Sequence, residues 1–93
     1  MDNLMSLMFG IAYNNHDADL VGHDQIDDYT IDTCLTADQG YETAVWLADH
    51  DMIIVARYAT KEEAALGHYK WARKCKNHPS SAYSVQLEGD VLF

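Results

Sequence analysis

The sequence predicts an α+β domain: an antiparallel sheet of four to five strands with one helix packed on one face. Three observations predict it. Ninety-three residues, 48% of them apolar, suffice for one core and hence one domain over 1–93. Several segments alternate apolar and polar residues with the period of two that a half-buried strand requires. One segment carries start, face and stop signals of a helix together.

The elements follow in order. In residues 4–13, Leu7, Phe9, Ile11 and Tyr13 alternate with Ser6, Met8, Gly10 and Ala12, which predicts a strand. Residues 14–28 are rich in Asp, Asn and Gly without a sustained period, which predicts a long loop holding at most a short strand or turn. Residues 29–36 are β-rich, with Tyr29, Ile31, Thr33 and Leu35 on one face. The stretch Ala37-Asp38-Gln39-Gly40 suits a hairpin loop in which Gly40 takes the unusual backbone angle. A third strand is expected over 41–48. After Asp49-His50-Asp51, the Ile- and Val-dense segment 52–59 is expected at the centre of the sheet.

The helix starts at Thr60, with Glu63 three residues on as the other half of a capping box. Glu62 and Glu63 sit in the first turn and Arg73, Lys74 and Lys76 in the last, matching the helix dipole at both ends. Asn77 is placed to take the left-handed stop, and Pro79 prevents continuation. Ala64, His68, Trp71, Ala72 and Cys75 fall on one face. Ala64, Ala65 and Gly67 are small enough for close approach to a sheet. A last strand is expected over 83–87, with a turn at Gly89-Asp90. The chain ends in Val91-Leu92-Phe93, and so apolar an end is expected to pack on the core or on a second subunit.

Charge is the least ordinary property of the chain. Fifteen acidic and six basic residues give a net charge of −9. Residues 1–56 hold eleven Asp or Glu and no Lys or Arg, whereas all six cations lie between Arg57 and Lys76. Such a balance disfavours direct binding to a nucleic-acid backbone, because like charges repel. It favours encounter with a basic surface. Asp17, Asp19, Asp24, Asp27, Asp28, Asp32, Asp38 and Glu42 form the candidate binding set, a run of carboxylates able to imitate a phosphate backbone. The plain alternative is an acidic surface kept for solubility.

Other chemistry finds weaker footing. Asp17, Asp19, Gly22 and Asp28 echo a calcium loop, but Val21 and Asp24 break its pattern and no helices flank it. His68, Cys75, His78 and Cys34 are zinc-type ligands, yet His68 and Cys75 lie two helical turns apart, about 10 Å. The reading preferred for them is a hydrogen-bonded histidine packed on the sheet and a small core thiol. No cofactor is expected, and no metal site. Cys34 lacks a cysteine-enzyme signature, and neither phosphate-loop pattern occurs, so the chain is not expected to be an enzyme. Two cysteines do not make a disulfide framework. The absence of an apolar stretch of membrane-spanning length, and the acidic start of the chain, point away from a membrane and towards the cytoplasm.

The runs Asp32-Thr33-Cys34, Tyr41-Glu42-Thr43, Tyr58-x-Thr60-x-Glu62-Glu63-Ala64 and Gly67-His68-x-x-Trp71 resemble a group of small, uncharacterised proteins encoded by bacteriophages. The resemblance covers about residues 30–75. It implies a phage product acting in the host cytoplasm, and it carries over no catalytic residue. Small acidic phage proteins are often inhibitors of host defence, the anti-CRISPR and anti-restriction proteins among them. The expected function is therefore an inhibitor that binds a host protein through its basic, nucleic-acid-binding surface, with a homodimer as the expected assembly. The alternatives are a small-ligand domain, in which Arg73, Lys74 and Lys76 would meet phosphate or a metal would bind, and a phage assembly component.

Overall fold

The computed structural model describes residues 19–93. The strand expected over 4–13 and the candidate residue Asp17 lie outside the described residues. The architecture is α+β. Strands β1 (Leu20–Ile26), β2 (Tyr29–Leu35), β3 (Tyr41–Leu47) and β4 (Ile53–Tyr58) form an antiparallel sheet in sequence order. Helix α1 (Lys61–Cys75) crosses one face of it. Strands β5 (Ser81–Ser84) and β6 (Gly89–Leu92) pair as a separate small hairpin beside β4.

Within the loop expected over 14–28, the short strand allowed there is a full seven-residue strand, β1. Its middle residues His23, Asp24 and Gln25 are exposed in succession, and a register shift between Leu20 and Gly22 leaves Val21 as a bulge. A strand with a bulge and no apolar alternation hides the period of two. The two-residue turn Asp27-Asp28 joins β1 to β2, with Asp27 at φ 52°, an angle that Asp tolerates better than most residues.

Strands β2 and β3 fill the middle of the sheet. Tyr29, Ile31 and Thr33 point towards the helix, paired across the ladder with Leu47, Val45 and Thr43. Ile31, Thr33, Thr43 and Val45 are fully buried. Burying an Ile or Val side chain stabilises by about 1.5–3 kcal/mol. Alternation puts Asp32, Cys34, Glu42 and Ala44 on the other face, where they too are buried. The hairpin loop is as the sequence indicates. Gly40 takes φ 73°, and the Thr36 hydroxyl accepts from the Gln39 amide and donates to the Gly40 carbonyl.

Strand β4 is not central, as its Ile and Val suggest, but the last strand of the four-stranded order. Its apolar density has another cause. Ile53 and Val55 join the core cluster, and Ile54 accepts a hydrogen bond from the Val85 amide on the side of the small hairpin. It is buried from two sides without being paired fully on both.

The capping box forms as expected: Thr60 Oγ1 accepts from the Glu63 amide, and the Glu63 carboxylate accepts from the Thr60 amide. Ala64, Gly67, His68 and Cys75 are buried, Trp71 and Ala72 half-buried. Gly67, not Ala65, makes the close approach, since Ala65 is exposed. A Cβ at Gly67 would overlap the Tyr58 phenol. The left-handed residue after the helix is His78, at φ 51°, not Asn77. Lys76 and Asn77 extend the turn by donating to Arg73 and Lys74 carbonyls, and the chain reverses one residue later. The His78 ring stacks on Tyr29 and bonds Asp27, contacts that offset its strained backbone.

The strand expected over 83–87 is instead a hairpin. Residues 85–88 turn, with Glu88 at φ 58°, and Gly89 and Asp90 begin β6. Ser84 builds the turn: its hydroxyl accepts from the Leu87 amide and its carbonyl from the Glu88 amide, which leaves Leu87 71% exposed. Phe93 packs edge-on against Tyr29, with centroids 5.4 Å apart, so the apolar end of the chain joins the core.

Candidate functional site

A chain of polar side chains runs between the helix and the sheet. Asp24 Oδ2 lies 2.7 Å from His68 Nε2, and His68 Nδ1 lies 2.7 Å from Thr33 Oγ1. Thr33 Oγ1 lies 2.6 Å from Thr43 Oγ1, which lies 3.1 Å from the Tyr58 hydroxyl. The local sequence explains each position. Thr33 and Thr43 are register partners on the helix face. Gly22 pairs with Thr33, and any side chain there would collide with the His68 ring, whose Cδ2 would be 2.7 Å from a Cβ. Gly67 leaves room for Tyr58 in the same way.

The order of donors follows from the one obligate acceptor. An ionised Asp24 only accepts, so His68 Nε2–H donates to it. With a neutral ring, His68 Nδ1 accepts from Thr33, Thr33 from Thr43, and Thr43 from Tyr58. Every group is then satisfied. Burial pushes the Tyr58 phenol up, against a smaller opposing effect from the Thr43 hydroxyl, so Tyr58 stays protonated to donate.

Asp24, His68 and Thr33 stand in the order carboxylate, imidazole, hydroxyl that serves nucleophilic catalysis. Here the hydroxyl has no exposed surface and is already bonded on two sides. The arrangement works as a clasp that ties β1, the first strand of the described sheet, to α1.

Two further histidines fasten the same hairpin. His23 lies 3.3 Å from Asp32, and His78 lies 2.6 Å from Asp27. The candidate acidic set is therefore scattered. Asp24 lies on the helix face, Asp32 and Glu42 on the other, and Glu42 accepts from Arg57 at 2.7 Å. Asp38 sits in the β2–β3 loop, at the opposite end of the sheet from Asp27 and Asp28, and Asp19 is half-buried just before β1.

A different acidic group does come together. Asp27 and Asp28 form the β1–β2 turn, and Asp49 and Asp51 lie in the β3–β4 turn, all four exposed. The Ala48 amide donates to the Asp28 carbonyl at 3.0 Å and holds the two tips side by side. Asp49 and Asp51 lie outside the candidate set. Their adjacency to Asp27 depends on the strand order, which spacing alone does not give.

Cys34 and Cys75 are free and fully buried. Burial pushes the Cys34 thiol up to about 12, with Asp32 and Asp19 adding to it, and the Cys75 thiol up to about 11. Neither is poised as a thiolate. Of the calcium-like set, Gly22 lies within the extended strand β1, and Asp19 and Asp28 lie beyond its two opposite ends. Among the described residues, no three His, Cys, Asp or Glu side chains converge as a metal site would need. No helix among them is long and apolar enough to cross a membrane.

Comparison with protein-family models, curated proteins and solved structures finds no match.

Proposed function

We propose that this domain is a binding protein that docks its paired hairpin tips on a basic surface of a partner, of the kind that holds nucleic acid, and occupies it in nucleic acid's place. The observation that carries the reading is the set Asp27, Asp28, Asp49 and Asp51, four exposed carboxylates on two turns joined by a backbone hydrogen bond. No Lys or Arg interrupts the chain from its start to residue 56. Carboxylates on a rigid sheet end are pre-organised, and a basic groove would meet them as it meets phosphates. The phage resemblance supplies the context: an inhibitor of a host defence or nucleic-acid-processing protein, acting stoichiometrically. Asp27 and Asp49 also serve their turns through positive φ angles. Asn accepts the same angles, so Asn replacement keeps the turns, and at Asp27 it also exchanges the carboxylate that bonds His78 for a carboxamide.

The test is capture from bacterial lysate by the tagged domain, side by side with an Asp27→Asn, Asp28→Asn, Asp49→Asn, Asp51→Asn variant. The wild type is expected to retain a nucleic-acid-binding protein that salt releases, and the variant to lose it. Equal capture by a folded variant removes the tips from the interface. Asp24 is left intact in this design because its loss would also open the clasp on His68.

A further inference from the structure

Beside α1 the fold leaves a groove of about 610 Å3. Val55 of β4 and Ala82 of β5, both nearly buried, give it an apolar base. Trp71, half-buried, and Tyr83, 52% exposed, add two aromatic rings. Lys74, Asn77 and Asp90 line it with a cation, a carboxamide and a carboxylate. Among the described residues, the Asp90 carboxylate, the Asn77 carboxamide and the Tyr83 hydroxyl have no hydrogen-bond or ion-pair partner.

Among the described residues, Lys74 is the cation that lines the groove, opposite in charge to Asp90. Arg73 rests on the Tyr69 ring instead, 5.7 Å from its centroid, and Lys76 follows at the helix end. On a chain of net charge −9, an anion meets the densest group of cations at this end of the helix. The Lys74 ammonium now rests over the Trp71 ring, 4.4 Å from its centroid. That contact shows one ring face reachable from outside, held by a flexible cation that can swing away to a phosphate.

We propose that this groove binds a guanine mononucleotide. The base stacks on Trp71 and Tyr83, a contact that any nucleobase can make. Lys74 leaves the Trp71 face and pairs with the phosphate. Asp90 selects the base. Guanine presents its N1–H and N2–H side by side, a donor pair that a carboxylate accepts in two parallel bonds, and adenine has no such pair on that edge. The site is distinct from the acidic hairpin tips and does not depend on their role.

The experiment is calorimetric titration of the full chain at low salt with GMP, with AMP and with inorganic phosphate, paired with amide chemical-shift mapping. GMP is expected to bind, AMP at least about 5-fold more weakly, and shifts to centre on Trp71, Tyr83 and Asp90. Asp90→Asn should remove the preference for GMP, and Lys74→Gln should weaken both nucleotides. Both changes are at exposed positions and spare the core. Trp71→Leu should cost roughly 10-fold or more. The four-Asn variant of the hairpin tips should keep the preference for GMP over AMP. No GMP binding, equal affinity for AMP, binding no tighter than inorganic phosphate, or shifts confined to another surface would each overturn the proposal.

Discussion

His68 of α1 and Asp24 of β1 are 44 residues apart in sequence and 2.7 Å apart in the fold. Their bond ties β1 to the helix, and Thr33, Thr43 and Tyr58 continue it into the sheet. His68→Ala empties the space over Gly22 and leaves Thr33 one partner short. A loss of about 2–4 kcal/mol is expected. Asp24 is half-exposed, so Asp24→Ala should cost about 1 kcal/mol. Urea unfolding checks both. Amide exchange should quicken first in β1, and equal quickening in β3 would contradict the clasp.

Gly67 has the opposite dependence on size. Alanine is the better helix former by about 1 kcal/mol, so an exposed Gly67→Ala would stabilise. Here its Cβ meets the Tyr58 ring, and a net loss of roughly 1–3 kcal/mol is expected from the overlap. Tyr58→Ala should absorb most of that loss in a double-mutant cycle. Additive losses would show that the two residues do not touch.

The buried thiols make stability fall at high pH. Unfolded cysteines ionise near their ordinary value of 9.0, whereas Cys34 and Cys75 in the fold are held at about 12 and about 11. Between these limits the unfolded chain binds fewer protons than the folded one. Stability present below pH 9 should therefore decline as pH rises from 9, through about 11 for Cys75 and about 12 for Cys34. Cys34→Ala with Cys75→Ala should flatten that decline, leaving the part due to the raised Tyr29 and Tyr58. At neutral pH, iodoacetamide should modify neither thiol until the chain unfolds, as mass spectrometry would show.

The sequence made the local features legible and left the cross-chain ones hidden. Thr60 and Glu63 reveal the helix start because both halves of the box lie within four residues. Gly40 reveals its turn for the same reason of locality. Strand β1 escapes because three consecutive exposed polar residues look like a loop. β4 looks central because burial beside β5 enriches Ile and Val as full pairing would. The acidic set divides because neighbouring strand residues face opposite ways, so that His23 and His68 each find a carboxylate on a different face. The groove joins residues 55, 71 and 83, whose proximity depends on the small hairpin, which the sequence shows only as a single strand.

The central claim is that the hairpin tips take nucleic acid's place on a partner. Its most direct test is displacement of labelled DNA from the captured partner by increasing amounts of the domain. Wild type should displace the DNA in proportion to its own binding, less effectively as salt rises, and the Asp27→Asn, Asp28→Asn, Asp49→Asn, Asp51→Asn variant should leave it bound. A stable ternary complex of partner, DNA and domain would contradict the claim.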